Sequence, residues 1–377
     1  MMKDVPTDII RREWPLLASL ATAILLTAFG SNLLADLTSI PWFAFMLSWL
    51  FAVILLSAFA VVRHAERLAA ILGEPLGTLI LTLAVTGIEV LMISAIMFTG
   101  ANNVTLARDA MFAVVMIVLN GMVGLSLLLG GLRYHEQTYN LQGANSFLAV
   151  IIPLAVLGLV LPDFTQTTPG PTLSPNQSAF LVFMSVGLYG VFLAIQNVRH
   201  REYFTETAPS TSFDGARDGF PSEEAGSRST WYHTLLLLAY LLPLITLSKR
   251  IAVPIDYAIH QLHAPAALGG FLIAVLILSP ESLAATRAAL ANQLQRAVNI
   301  LLGSVLATIS LTIPSVLTIG YLTGQTIVLG LDGATGTLLV LTLGVSMLTF
   351  ASERTNVLLG AVHVLLFFAY LMLIFEK

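Results

Sequence analysis

Long runs of apolar residues, separated by short polar segments, dominate the chain. A helix needs about 20 mostly apolar residues to cross a bilayer. Eleven stretches come close to or exceed that length, at 15–34, 41–62, 76–99, 110–132, 146–162, 178–198, 231–247, 266–283, 298–320, 335–351 and 356–375. Because these runs are continuously apolar and do not alternate, they predict helices and not barrel strands. The pattern therefore predicts an all-α polytopic membrane protein with about 11 transmembrane helices.

The composition supports this prediction. Of the 377 residues, 57% are hydrophobic and only 10% are charged, whereas a soluble domain carries about 25% charged residues. Because this small number of charges cannot cover a water-soluble surface, the lipid bilayer is the expected partner. The net charge of −4 gives no basis for nucleic-acid binding, and the absence of Cys excludes a thiolate metal site. The first fourteen residues are too polar for a signal-peptide core, so we expect the first apolar run to be a retained helix.

Lys and Arg predict the orientation. If the N-terminus is cytoplasmic, 13 of the 17 Lys and Arg lie inside and four (Arg108, Lys249, Arg250 and Lys377) lie outside. Cytoplasmic loops normally carry this excess of positive charge. An odd number of spans then places the C-terminus on the periplasmic side.

The polar stretch 199–230 is rich in Pro, Gly, Ser and mixed charges, which is typical of a mobile cytoplasmic linker. We therefore divide the chain into an N-terminal segment with the first helix (1–40), a first five-helix repeat (41–198), this linker, and a second five-helix repeat (231–377). An offset of 192 aligns Glu89 with Glu281, each in the second span of its group. An odd number of spans per repeat inverts one repeat relative to the other, as in many secondary transporters.

A second match, between EQTYNLQGA at 136–144 and ERTNVLLGA at 353–361, requires an offset of 217. This offset is out of register with the first, and we interpret the match as coincidence.

Glu89 and Glu281 are the acids that fall within spans. A charge near the bilayer centre costs about 2.5–3.5 kcal/mol even on the lenient insertion scale. Since no Lys or Arg lies at comparable depth, a proton or a bound cation is the expected compensation. Gly87 and Pro280 predict breaks in the two helices, which would free carbonyl oxygens for an ion. Carboxylates and carbonyls together suit Ca²⁺, which takes six to eight oxygen ligands.

Five further residues are candidate contributors of oxygen atoms to this cation and proton site, namely Thr86, Asn120, Ser279, Ser304 and Thr308. Asn120 and Thr308 belong to stripes of small residues in the fourth and ninth spans, a pattern that is also typical of helix packing. The absence of a His cluster argues against a transition metal. We interpret His64 as a loop residue in preference to a gate, and His363 as a packing residue.

At these residues the chain resembles the Ca²⁺:cation antiporter superfamily, in particular its Ca²⁺/H⁺ exchanger branch and the bacterial sodium (potassium)/calcium–proton antiporters of the Cha type. The segments that carry the resemblance are VVRHAERLAAILGEPLGTLILTLAVTGIEV at 61–90, LSLLLGGLRYHEQTYNLQGA at 125–144, LILSPESL at 276–283, NQLQRAVNILLGSVLATISLTIP at 292–314 and RTNVLLGA at 354–361. The resemblance implies one N-terminal helix plus a core of two inverted five-helix repeats in a bacterial inner membrane. It also implies that each repeat supplies one acid, Glu89 or Glu281, to a shared site. The family's Gly-Ser motif matches Gly303-Ser304, whereas the first repeat has Val115-Met116 where Gly-Ser is expected.

The function expected from these residues is exchange of Ca²⁺, with Na⁺ as a second substrate, for H⁺ by alternating access, exporting the cation from the cytoplasm. We expect no enzymatic activity and no cofactor beyond the transported ions. The alternatives are a Na⁺(K⁺)/H⁺ antiporter with little Ca²⁺ transport and a passive cation channel. An intramembrane aspartyl protease would need two Asp residues at membrane depth, and the spans contain none. Stoichiometry and oligomeric state stay open at this point.

Overall fold

The computed structural model describes residues 12–73, 76–97, 104–204 and 229–376. Within these ranges the chain forms eleven long apolar helices, which we number α1 Trp14–Leu33, α2 Ile40–Leu72, α3 Leu76–Met97, α4 Leu106–Tyr134, α5 Leu141–Phe164, α6 Pro175–Arg199, α7 Thr230–His260, α8 Ala267–Leu290, α9 Leu294–Thr323, α10 Gly333–Thr349 and α11 Val357–Phe375. Ten are long and apolar enough to cross a membrane, and α10 is a shorter apolar helix. The predicted all-α polytopic fold is confirmed.

Two helices extend well beyond the spans predicted for them. α2 continues past 62 to Leu72, and α7 continues past 247 to His260 with Pro254 inside it. The two predicted spans end too early because polar residues interrupt the apolar runs. Arg63 interrupts the first run, and Lys249-Arg250 interrupts the second. In the structure α2 and α7 pack against each other, and this packing maintains helix where hydropathy alone predicts a connection.

One face of the molecule, which we call the linker face, gathers the end of α2 at 72–73 and the connections around residues 134–141, 199–204, 290–294 and 349–357. Two short strands meet there, β1 Gln137–Thr138 and β2 Arg354–Thr355, in an antiparallel pair. The Tyr134 hydroxyl donates to the carbonyl of Leu290 at 2.8 Å. Most of the predicted linker, residues 205–228, lies outside the described residues, as does Glu74.

The opposite face gathers the alternate connections. Arg108 donates to the carbonyl of Gly330 at 3.1 Å, and the Leu331 amide donates to the carbonyl of Leu159 at 2.7 Å. Successive helices therefore run in opposite directions. The two groups of five, α2–α6 and α7–α11, consequently have opposite orientations, as expected for inverted repeats.

π-helical segments mark equivalent places in the two groups. Residues Met116–Met122 are π-helical in α4, and residues Thr308–Thr312 are π-helical in α9. Their first residues differ by 192, the same offset that relates Glu89 to Glu281. At this offset the equivalents of Gly303-Ser304 are Met111-Phe112, so the assignment of Val115-Met116 to that place is wrong by about one helical turn.

The segments 136–144 and 353–361, whose similarity we interpret as coincidence, are neighbours in space. They are not equivalent in the repeats, because the first joins α4 to α5 and the second joins α10 to α11. They contain β1 and β2, and Glu136 forms an ion pair with Arg354 at 3.2 Å. Sequence similarity between them therefore accompanies strand pairing and not internal duplication.

The helix breaks predicted at Gly87 and Pro280 are absent from the described residues. α3 is continuous through Gly87, and α8 is continuous through Pro280, which is buried within it. A proline removes one backbone hydrogen bond, but neighbouring helices can hold a membrane helix together around it. π-helical backbone occurs instead in α4 and α9, the helices that follow the two acidic ones, and also in α5 and α6.

Candidate functional site

A cavity of about 230 Å³ lies between α3, α8 and α9, with walls completed by α2, α5 and α6. Both Glu89 on α3 and Glu281 on α8 line it. The fold thus brings together the two acids that the sequence places 192 residues apart, one from each five-helix group. Three more of the predicted residues, Thr86, Ser304 and Thr308, also line this cavity.

Glu89 is held on one face of α3 with two threonines. Thr82, Thr86 and Glu89 follow a spacing of four and three residues, so their side chains project in the same direction. Glu89 is 2% exposed. Its Oε2 accepts a hydrogen bond from the Thr308 hydroxyl at 2.8 Å, whereas its Oε1 is buried without a partner. The hydroxyl of Thr312, one turn beyond Thr308, is buried beside the same carboxylate.

Glu281 occupies a corresponding position on α8 and is partly buried. Its Oε2 is buried without a hydrogen-bond partner. The Ser304 hydroxyl lies beside this carboxylate. Since Ser304, Thr308 and Thr312 are each one turn apart on α9, that helix presents hydroxyls to both acids.

Further polar residues line the cavity towards the linker face. These are Glu66 near the end of α2, Gln196 near the end of α6 and Asn299 near the start of α9. Arg67 and Arg296 act electrostatically on Glu66. None of these three residues is predicted from the sequence, because each lies at the polar end of an apolar run, where it resembles a loop residue.

Asn120 and Ser279 do not line the cavity. The Asn120 amide donates to the Thr342 hydroxyl at 2.9 Å, and its Oδ1 lies 3.2 Å from Nδ1 of His363. Nε2 of His363 lies 2.9 Å from the Thr349 hydroxyl, so this fully buried His is a packing residue as predicted. The Ser279 hydroxyl donates to the carbonyl of Val275 in its own helix.

The small-residue stripe of α4 faces α11 and not the two acids. A side chain added at Gly124 would come within 2.9 Å of the backbone nitrogen of Val364 on α11. The expectation that this stripe would bring oxygen atoms to Glu89 and Glu281 is therefore wrong. The stripe of α9 does bring oxygen atoms to the two acids, through the hydroxyls of Ser304 and Thr308.

The geometry defines what the site can bind. A carboxylate is an acceptor only, so a buried oxygen without a donor requires a proton or a cation. The two carboxylates supply such oxygens to one cavity, and hydroxyls of α9 stand beside them. Within the described ranges no group of three or more His, Cys, Asp or Glu side chains could hold a metal ion. A cation here would therefore take its remaining ligands from hydroxyls, carbonyls and water.

Comparison with known proteins identifies the family of this chain. The family model described as "sodium/calcium exchanger protein" matches residues 42–198 and 232–376. The chain belongs to the sodium/calcium exchanger family. The members of this family are transporters and not enzymes, and this member is a multi-pass membrane protein.

Two relatives and one solved structure show how far the similarity extends. This exchanger is 43% identical to the sodium-potassium/proton antiporter ChaA of Escherichia coli K12, over 85% of this chain and 86% of ChaA. It is 24% identical to a Ca²⁺/H⁺ antiporter of Aphanothece halophytica, over 73% and 74% of the two chains. The structure of native YfkE superposes with a TM-score of 0.71 and 18% identity, covering 96% of this chain and 100% of YfkE, which shows a shared fold.

Proposed function

We propose that this protein exchanges Ca²⁺, with Na⁺ as a second substrate, for H⁺ at a site formed by Glu89 and Glu281. The observation that carries the proposal is the pair of carboxylates, one from each inverted group, each with a buried oxygen that lacks a donor in one shared cavity. The names of the relatives support it, since one is a sodium-potassium/proton antiporter and another a Ca²⁺/H⁺ antiporter.

Competition at the two acids would couple the two fluxes. Burial disfavours a charged carboxylate, so protons bind when no cation is present. A divalent cation supplies two positive charges and replaces two protons without net movement of charge. The empty site would carry two buried negative charges, which is too unfavourable to reorient across the bilayer. Either protons or a cation must therefore be bound during each reorientation, and exchange follows.

We infer that the linker face is cytoplasmic. The excess of Lys and Arg in the connections of this face follows the positive-inside rule. The N-terminus then lies in the cytoplasm and the C-terminus in the periplasm. Since Glu66, Gln196 and Asn299 extend the polar wall of the cavity towards this face, we infer that cations from the cytoplasm reach the two acids along these side chains. The inward proton gradient of a bacterium would then drive cation export.

A Na⁺(K⁺)/H⁺ antiporter is the second candidate. Its support is the 43% identity to the sodium-potassium/proton antiporter ChaA. A site with two carboxylates and few other charges can also accept a monovalent ion, leaving one carboxylate for a proton. A cation-competition series in proteoliposomes distinguishes the two candidates. Ca²⁺ at micromolar concentration should inhibit Na⁺-driven proton movement if Ca²⁺ is the main substrate, whereas inhibition only by Na⁺ or K⁺ would favour the second.

The test of the site uses purified protein in proteoliposomes that contain a pH indicator. Addition of Ca²⁺ or Na⁺ should release protons with the wild-type protein, and Glu89→Gln and Glu281→Gln should each abolish this release. Glu353→Gln, at an exposed position of the linker face, is the matched control and should exchange at the wild-type rate. Normal exchange by either cavity variant would contradict the proposed site. Cation flux without proton movement in the wild type would indicate a channel instead.

A further inference from the structure

A cluster of titratable side chains lies at the linker face, outside the cavity, where α1, α2 and α7 meet. Its centre is Glu13, which directly precedes α1 and is 7% exposed. The Glu13 carboxylate accepts hydrogen bonds from Arg63 and Tyr240, each at 2.9 Å, and from Tyr232 at 3.4 Å. Its Oε2 also lies 3.3 Å from Nε2 of His64. Glu13 therefore ties the start of α1 to both α2 and α7.

Glu13 stays ionised over the pH range in which histidines titrate. Burial raises the pKa of Glu13, but the hydrogen bond from His64, the charge of Arg63 and the hydrogen bond from Tyr240 outweigh burial and lower this pKa to about 2. An ionised carboxylate can only accept hydrogen bonds. Nε2 of His64 must therefore carry a hydrogen in order to stay beside it.

His64 contacts a second histidine through its other ring nitrogen. Its Nδ1 lies 3.0 Å from Nδ1 of His233 on α7. His64 is 2% exposed, so it is a buried residue within α2 and not the loop residue expected from the sequence. With Nε2 of His64 protonated towards Glu13, the Nδ1–Nδ1 hydrogen bond requires a hydrogen on one Nδ1 and none on the other, which three protonation patterns provide.

In the first pattern both rings are neutral, and His233 donates its Nδ1 hydrogen to His64. In the second, His64 carries one extra proton and donates from both nitrogens, so His233 accepts. In the third, His233 carries the extra proton and donates its Nδ1 hydrogen to neutral His64. When both rings carry an extra proton, two N–H groups and two positive charges face each other, and the 3.0 Å contact cannot persist. The contact between α2 and α7 thus survives zero or one extra proton and not two.

The histidine contact is linked to the cavity through the helices that carry it. His64 faces the cluster, while Glu66, two residues later and about 200° around α2, lines the cavity. α7 packs against α3, which carries Glu89, as well as against α2. Separation of α7 from α2 at the linker face would therefore change the walls around the two acids.

We propose that the His64–His233 contact is a proton-operated latch, and that double protonation releases α7 from α2 and lowers the maximal rate of exchange. Among the described residues, the titratable and charged groups that face the pair include Glu13 from the start of α1, Arg63 from α2, and Tyr232 and Tyr240 from α7. The transport readout of this proposal rests on the proposed exchange activity. Because exchange brings protons to the linker face, such a latch would slow transport once that side has become acidic.

The first experiment measures the pH dependence of His233→Asn. Asn keeps a hydrogen-bonding side chain beside His64 but does not titrate. Exchange is measured at saturating cation, so that protons do not compete for Glu89 and Glu281, while the pH on the linker face is varied and the other side is held constant. From pH 7 to 5.5 we expect the maximal wild-type rate to fall about fivefold, and that of the variant by less than about twofold. His260 lies exposed at the other end of α7, so His260→Asn is the control. Its maximal rate should fall on acidification as much as that of the wild type.

The second experiment measures the latch without transport. Because the chain contains no Cys, Ile71→Cys on α2 and Trp231→Cys on α7 can carry a pair of spin labels at exposed positions. The distance between the labels should lengthen on acidification with His64 and His233 intact and stay constant when His233→Asn is added. The proposal would be overturned if the distance did not change on acidification with the native histidines. It would also be overturned if the maximal rate of His233→Asn fell on acidification as much as that of the wild type. If the wild type shows no exchange at any pH, the proposed function is contradicted. The distance measurement still tests whether α7 separates from α2 on acidification.

Discussion

Thr308 connects the two halves of the candidate site at the level of single residues. Its hydroxyl, from the second five-helix group, donates to the carboxylate of Glu89 in the first group at 2.8 Å. Hydrogen bonds to charged groups contribute about 1.5–3 kcal/mol, more than bonds between neutral partners. The orientation of Glu89 in the cavity therefore depends on a side chain that lies 219 residues away along the chain.

We predict that Thr308→Val weakens cation binding without unfolding the protein. Valine has a similar shape but lacks the hydroxyl, so Glu89 loses its donor and one candidate ligand oxygen. A loss of about 1.5 kcal/mol corresponds to an apparent cation affinity about tenfold weaker. The measurement is the cation concentration that gives half-maximal proton release in proteoliposomes. Thr308→Ser, which retains the hydroxyl, should stay within about twofold of the wild type, and equal affinities in the Val and Ser variants would contradict the prediction.

Asn120→Ala is the control for loss of a buried polar group outside the cavity. It removes the hydrogen bond to the Thr342 hydroxyl and the partner of Nδ1 of His363, which should lower stability by about 1–3 kcal/mol. Its apparent cation affinity should remain that of the wild type, because Asn120 does not line the cavity. A loss of affinity comparable to that of Thr308→Val would show that Asn120 contributes to cation binding.

Glycines determine how closely α4 and α11 approach at the level of helices. A side chain at Gly360 on α11 would come within 2.5 Å of the backbone nitrogen of Leu128 on α4, closer than real Cβ atoms pack. Backbone cannot move aside as a flexible side chain can. This contact therefore maintains the α4–α11 pair, which lies away from the cavity.

We predict that Gly360→Ala destabilises the protein by about 1–3 kcal/mol, as overpacking of a tight interface commonly does. Thermal unfolding in detergent measures this loss. Gly344→Ala in α10 is the matched control, since a side chain there meets nothing within 4 Å. It should leave stability unchanged or raise it slightly, because Ala favours helix over Gly. Equal melting temperatures for the two variants would show that the contact between α4 and α11 is looser than the structure indicates.

The helix positions were predictable from apolar runs, but some ends and irregularities were not. Hydropathy ends α2 at Arg63, whereas the partner helix α7 and Glu13 satisfy Arg63 and His64 and let the helix continue to Leu72. Pro280 and Gly87 predict breaks that neighbouring helices suppress, and the π-helical turns of α4 and α9 have no comparable residue signal. These features depend on contacts between helices, which a local pattern does not contain.

The two faces of the whole molecule follow from the alternation of eleven helices. The antiparallel β1–β2 pair lies at the linker face, and the Arg108–Gly330 contact lies at the other. The charge bias of the sequence predicts that the linker face is cytoplasmic. This orientation also determines which gradient drives which flux under the proposed function.

We predict that single cysteines report this orientation directly. Ser352→Cys lies exposed at the linker face and Thr323→Cys lies exposed at the opposite face, in a chain that otherwise has no Cys. A membrane-impermeant maleimide should label position 323 in right-side-out vesicles and position 352 only in everted ones. The reverse pattern would invert the proposed direction of transport, and labelling of both positions from one side would contradict the odd number of spans.

The sequence by itself determined the membrane class, the approximate limits of eleven helices, the pairing of Glu89 with Glu281 at an offset of 192, and the family. These properties are encoded locally, in hydropathy and in a few motifs, because the bilayer requires each segment to be apolar over a fixed length. Only the tertiary structure decided that Thr308 and Ser304 stand beside the acids, that Glu66 shares their cavity, and that His64 meets Glu13 and His233. It also decided that Asn120 contacts α10 and α11, and that Gly121, Gly124 and Gly131 of α4 face α11. Each of these depends on which faces of distant helices meet, and many packings of the same apolar helices satisfy the same hydropathy pattern.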